Sequence, residues 1–250
     1  MAENETPAAD EGGYERLKVS TGVDYSSGAY GGTLDTKILY LPLSVQYETA
    51  TWRVKVTLPY INIEGPGGVT GGPDGPVIIG PGDPNAVTSS SGMGDVVLQA
   101  SYLFAPSSGN MPYLEITGKI KLPTANENKG LGTGKTDYFV QADVFQSFGN
   151  VTPFGTIGYR IAGDPAGFDL NNTIYASAGL GYKFSSSFSG GVVVDYREKS
   201  SDFSSERLEV VPYAVIKSGS NWSVNLYGVI GLTDGSPDTG VGLQISLFTD

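Results

Sequence analysis

Histidine and cysteine are both absent from the 250 residues. Their absence removes disulfide frameworks, thiolate nucleophiles, the usual zinc sites and every Ser-His-Asp or His-Asp catalytic centre, and with them most hydrolase chemistry. Basic residues are scarce, with 15 Lys and Arg against 26 Asp and Glu and a formal charge of -11. Phosphate contacts need clustered Lys and Arg, and no such run exists, so nucleic acid is excluded as a partner. No apolar stretch reaches the roughly eighteen residues of a transmembrane helix. The membrane remains open to strands, which need only about 9 to 11 alternating residues to cross. Met1 to Asp10 is polar and acidic, without the basic start and apolar centre of a secretory signal. We read Met1 as an added start before a mature terminus at Ala2, with the signal peptide removed, and residues 1–14 as a flexible acidic segment.

Glycine (36) and tyrosine (15) are abundant, which favours a chain of many strands and turns. Leu17, Val19, Thr21, Val23 and Tyr25 alternate with Lys18, Ser20, Gly22 and Asp24, the period expected when two faces of a strand meet different media. Ile38 to Tyr47, Trp52 to Tyr60, Val96 to Phe104 and Leu114 to Leu122 repeat the pattern. A soluble core would not bury the face that carries Arg53 and Lys55. Further strands are expected at Thr136–Phe148, Pro153–Ile161, Thr173–Phe184, Phe188–Arg197, Arg207–Lys217, Trp222–Leu232 and Thr239–Phe248. The total is twelve, and even parity suits a barrel whose two ends lie on the periplasmic side.

Short connections at Glu48–Thr51, Ala105–Met111, Gly149–Thr152, Ser185–Ser187 and Ser218–Asn221 alternate with longer ones, the longest being about 61–94. Short turns facing long loops are a barrel signature. Aromatic residues of apolar parity form two bands. Tyr47, Trp52, Tyr102, Phe104, Phe148, Tyr182, Phe184, Phe188 and Trp222 flank the short turns, and Tyr25, Tyr60, Tyr138, Tyr159 and Tyr196 lie at the opposite ends. A bilayer's two interfaces select such bands, because these rings pair an apolar body with, in Tyr and Trp, a polar tip. The expected fold is all-β: a transmembrane antiparallel up-and-down barrel of about 12 strands over residues 15–250, in a bacterial outer membrane. A soluble β-sandwich also alternates, but its turns recur roughly every 8 to 12 residues, which is closer than here.

Gly94-Asp95, Lys119-Ile120-Lys121-Leu122-Pro123-Thr124 and Gly130-Leu131-Gly132-Thr133-Gly134-Lys135-Thr136-Asp137-Tyr138, with Leu58-Pro59-Tyr60 and Asn150 to Gly158, carry a family likeness. The sequence resembles the MetA-pathway phenol-degradation family of outer-membrane proteins, often described as transporters. Two departures are visible: Ala125 stands where glycine is expected, and the chain ends Phe248-Thr249-Asp250 without a terminal aromatic. The resemblance implies a barrel in a catabolic setting and supplies no catalytic or binding residues.

Gly134-Lys135-Thr136 imitates the end of a P-loop, but the first glycine of that motif would fall at Lys129. Asp74 and Asp83 lack EF-hand spacing, and we expect no metal and no cofactor. The polar strand faces place Lys18, Arg53, Lys55, Lys119, Lys121, Arg160, Lys183, Arg197, Arg207 and Lys217 in the lumen, with Asp24, Asp95, Glu115, Asp137, Asp143, Asp195 and Glu209. These ten basic and seven acidic residues leave the lumen at +3 and the tails, turns and loops at -14. Such charges line the pore of a channel, or they pair across strands to fill a narrow barrel. Tyr113, Phe139, Phe145, Phe154, Tyr175, Tyr213 and Tyr227 share this parity, as contacts for an apolar solute or as packing. The expected function is passive uptake of small molecules, hydrophobic or aromatic compounds among them, with lipid and solute as the partners. The alternative is a non-conducting structural or adhesive barrel that binds a partner through the 61–94 loop. No enzyme activity is expected.

Overall fold

The computed structural model describes residues 15–72, 75–80, 82–83, 85–106, 108 and 111–249. The expected flexible segment 1–14, and Asp74, lie outside them. The strands are β1 Glu15–Gly28, β2 Thr36–Thr49, β3 Trp52–Gly65, β4 Thr88–Met93 with Val96–Phe104, β5 Tyr113–Leu122 and β6 Asp137–Phe145. They continue as β7 Val151–Ile161, β8 Thr173–Lys183, β9 Phe188–Arg197, β10 Arg207–Ser218, β11 Trp222–Gly231 and β12 Thr239–Thr249. Each pairs antiparallel with the next, and β1 pairs with both β2 and β12, so the sheet closes into a twelve-stranded barrel. Closure leaves no edge whose unpaired amides would meet hydrocarbon.

Alternation carries through to the faces. Leu43, Val45, Val54, Val56 and Leu58 on β2 and β3 are exposed and face lipid, while Ser44 between them is buried. Both aromatic bands stand on the outer surface, where Tyr102 packs edge-on against Phe104 at 4.8 Å and Phe184 stacks on Phe188 at 5.0 Å. The short connections are tight. Phe148 and Val151 exchange backbone hydrogen bonds of 2.7 and 3.1 Å around Gly149, whose φ of 62° is cheap only for glycine. This turn stops β6 at Phe145, short of the expected Phe148.

Between its two segments β4 carries one residue more than β3: Thr57 faces Val97, yet Tyr60 faces Met93. This bulge turns Asp95 into the barrel, while the Gly94 amide donates to the Pro59 carbonyl at 2.8 Å. A Cβ at Gly94 would lie 2.5 Å from Ile61 Cδ1, so any larger residue there would have to displace the buried Ile61 side chain.

The upper ends of β2 and β3 differ from the expected loop at 61–94. β3 runs on to Gly65, and β4 begins again at Thr88. Above Tyr60 the polarity of the faces inverts, which hides the strand from an alternation test. Lys37 and Glu64 pair outward at 3.4 Å, half exposed, whereas Ile38, Ile61 and Ile63 turn inward and bury against Leu131. The strand has left the bilayer there, so its outer face meets water and its inner face meets loops.

Two-residue strands Val69–Thr70 and Val77–Ile78 pair within the 66–87 loop. Both Ser200 and Ser201, in the loop after β9, donate to the Ile78 carbonyl at 3.1 and 2.8 Å. β9 lies six positions around the ring from β3. The loop therefore crosses the extracellular mouth and fastens on the far side. Val77, Ile78, Thr70 and Ser201 are all buried by the crossing.

Candidate functional site

Beneath this lid a cavity of about 780 Å³ occupies the lumen, from Tyr40 and Arg197 down to the periplasmic turns at Ser147, Asn150 and Ser185. Its charged lining is Lys55, Lys119, Lys183, Arg197 and Lys217 with Asp143 and Asp195, an excess of three positive charges inside a chain of net charge -11. The Asp143 carboxylate accepts from Gln141 Nε2 at 2.9 and 2.8 Å and from Thr156 Oγ1 at 2.6 Å.

The wall built by β7 to β10 owes its smoothness to glycine. Tyr175 on β8 faces Gly158 on β7, and Phe154 on β7 faces Gly179 on β8. A Cβ on Gly158 would lie 2.2 Å from Tyr175 Cζ, and one on Gly179 would lie 2.3 Å from Phe154 Cζ. Each ring is thus laid against its neighbour's bare backbone instead of standing up into the lumen. Tyr213 lies likewise against Gly191, and Tyr227 against Gly242. Above and beside Tyr175 sit Arg197 Cζ, at 5.4 Å from the ring centroid, and Lys119 Nζ, at 5.8 Å. Its hydroxyl donates to Gln141 Oε1 at 3.1 Å.

Other inward charges are organised as buried networks at either end. Toward the periplasm Arg16 and Arg53 converge on Glu48, Arg16 at 2.7 Å and Arg53 at 3.9 Å, and Arg53 also pairs with Glu115. Toward the outside Lys121 bridges Asp95 at 3.1 Å and Asp137 at 3.3 Å, and Arg160 reaches Asp137 at 2.8 Å. All four are nearly fully buried. Lys121 donates also to Thr133, and the Ala125 amide donates to Asp95. The glycine-rich stretches that carried the family likeness are therefore the shell of one ion network. A third group lies under the lid, where Arg207 pairs with Glu209 at 2.6 Å and donates to the Pro76 carbonyl. Tyr30 leans into this group from the β1–β2 loop, and burial pushes its hydroxyl pKa up to about 12.

Of the expected pore and solute residues, the structure gathers Lys55, Lys119, Asp143, Asp195, Arg197, Tyr175 and Tyr213 around the cavity. Arg53 and Glu115 go to the periplasmic network, Lys121 and Arg160 to the outer one, and Glu209 to the group under the lid. Tyr113 and Phe145 stack on each other at 5.1 Å and 4°, Phe139 lies under Lys119 and Arg160, and Tyr227 lies beside Asp24 at Gly242. Residues the pattern missed include Arg16, Glu48, Tyr40 and Phe248. Arg16 has the parity of Lys18, and Glu48 was assigned to a turn that in fact begins two residues later. Tyr40 is masked by the apolar run Ile38–Leu43. Phe248 turns inward beneath Arg16, whose Cζ lies 4.1 Å from the ring centroid.

Among solved structures the chain is similar to the COG4313 outer membrane channel from Pseudomonas putida F1, at 14% identity and a TM-score of 0.68 with both chains covered in full. It is similar to the NanC porin at 10% identity and a TM-score of 0.55, over 94% of this chain and 99% of that one. A third, the CymD monoaromatic hydrocarbon channel, gives 11% identity and a TM-score of 0.50 over 94% and 88%. At these identities the likeness is one of fold, a closed antiparallel barrel, and it is the exposed apolar exterior that marks the barrel as membrane-embedded. No curated protein sequence matches the chain. The model of the family described as "Putative MetA-pathway of phenol degradation" matches residues 19–248, nearly the whole barrel, and the chain belongs to that family.

Proposed function

We propose that the barrel is an outer-membrane channel for passive entry of small molecules, hydrophobic and aromatic compounds among them. The observation that carries this reading is the lumenal cavity, which holds about 780 Å³ and reaches the periplasmic turns. A barrel built only to be stable would fill that space with side chains, as eight-stranded barrels do. The glycine pairs do the reverse by holding three of the cavity's rings, Phe154, Tyr175 and Tyr213, against the wall. The family's description concerns phenol degradation, and a barrel of similar fold is a monoaromatic hydrocarbon channel. Entry from outside requires the 66–87 loop to swing away from Ser200 and Ser201. The loop spends Val77, Ile78 and its carbonyls on the barrel's own far side, which leaves the adhesive reading with less surface to stand on. We assign no catalytic role.

The test is reconstitution of the purified barrel. Single-channel steps in a planar bilayer, and benzyl alcohol entry into proteoliposomes faster than into empty vesicles, are expected. Silent insertions together with unchanged entry would overturn the channel.

A further inference from the structure

The geometry points to a binding site in the lumen for an organic anion with a flat aromatic body, an aromatic carboxylate being the simplest case. The inference refines the channel reading given above by naming the class of solute its cavity holds best. Two observations carry it, one of net charge and one of local geometry, and Lys119 and Arg197 take part in both. The first is the cavity's excess of three positive charges, which does not depend on how individual pairs are shared. Walls of low dielectric focus such an excess, so an anion is concentrated in the lumen even though the acidic loops outside repel it. Those loops act only within a Debye length, about 8 Å at physiological salt.

The second observation is the arrangement around Tyr175. The ring lies flat over Gly158 with Lys119 and Arg197 both within 6 Å of its centroid. Phe154, flat over Gly179, supplies an adjoining apolar face in the same cavity. Tyr175 is itself buried beneath its two cations, so it is the half-buried Phe154 that offers a second ring laid on this pavement a face for offset stacking. The carboxylate of that second ring would then lie beside the two cations that already border the Tyr175 ring. A neutral hydrocarbon uses the pavement alone, and a small carboxylate such as acetate uses the charge alone. An aromatic cation uses the pavement against an unfavourable field. The order of affinity follows: aromatic acid first, aromatic cation last.

The experiment is calorimetric titration of the detergent-solubilised barrel with benzoate, benzylammonium and acetate, beside current block by the same three in a planar bilayer. Benzoate is expected to bind at least about tenfold more tightly than either of the others, a difference of 1.4 kcal/mol. Lys119→Gln should weaken benzoate about fivefold, and Tyr175→Leu by a similar factor. Lys37→Gln, whose site lies on the outer surface, should leave it unchanged. Gly158→Ala, which forces the Tyr175 ring off the wall, should weaken benzoate without altering heat-modifiable migration on gels. Equal affinity for benzoate and benzylammonium, or indifference to both Lys119→Gln and Tyr175→Leu, overturns the site. Benzoate binding without conductance would overturn the channel reading and leave the site standing. Conductance without benzoate preference would do the opposite.

Discussion

Ser201 Oγ donates to the carbonyl oxygen of Ile78 at 2.8 Å, joining two loops that leave the barrel on opposite sides of its rim. Ser200 reaches the same oxygen at 3.1 Å. A neutral hydrogen bond contributes about 0.5–1.5 kcal/mol net, so the fastening is modest and the loop can open. The double variant Ser200→Ala/Ser201→Ala should raise the open population severalfold. Faster proteolytic cleavage within residues 66–87 on intact cells, with longer open times in single-channel records, would register it. Unchanged cleavage and gating would show that the packing of Val77 and Ile78, with the Arg207 hydrogen bond to the Pro76 carbonyl, holds the loop without the serines.

Leu43 and Val56 face lipid while Thr57 lines the cavity. Arginine on the lipid face near the midplane costs about 2 to 4 kcal/mol. Leu43→Arg and Val56→Arg should therefore reduce the heat-modifiable folded band far more than Thr57→Arg. Equal folding of all three would contradict the assignment of faces.

Asp137 receives Lys121 and Arg160 and also accepts from the Gly163 amide at 3.1 Å. Removing one member of a buried pair leaves its partner's charge uncompensated, at roughly 3–5 kcal/mol. Asp137→Asn keeps the shape and removes the charge. It should lower the unfolding temperature of the detergent-solubilised barrel markedly, whereas Asp202→Asn, in an exposed pair with Lys199, should not. A small shift for Asp137→Asn would mean that Asp95 alone suffices for Lys121.

Net charge and local charge disagree about ion preference. The whole chain carries -11, yet the cavity lining carries five basic and two acidic side chains. Permeating ions meet the lining directly, so the reversal potential under a salt gradient should show weak anion preference. Lys119→Gln should reduce that preference. Glu115→Gln should change it less, because Glu115, although it faces the cavity residue Asp143 across the strands, is buried against Arg53 and is not itself part of the lining. Strong cation selectivity would transfer control to the acidic loops.

The alternating stretches of the sequence determined the strands, their faces, the two aromatic bands and the even count, because side-chain alternation is a local property of extended backbone. The family likeness was also legible, although its cause was not. Gly94-Asp95, Lys121, Thr133 and Asp137 are far apart in the chain and become one ion network only when β4, β5 and β6 are in register. Tertiary structure alone decided which charges meet. Lys55 and Lys119 entered the cavity while Arg53 and Lys121, of the same parity, were absorbed into ion networks at the barrel's ends. It also decided the upper ends of β2 and β3, where Ile61 and Ile63 turn inward because the outer face has passed from lipid into water. Turn residues marked a loop at about 61–94, of which the structure leaves 66–87 between strands. They carried no direction, and only contact with Ser200, Ser201 and Arg207 across the mouth fixed its path.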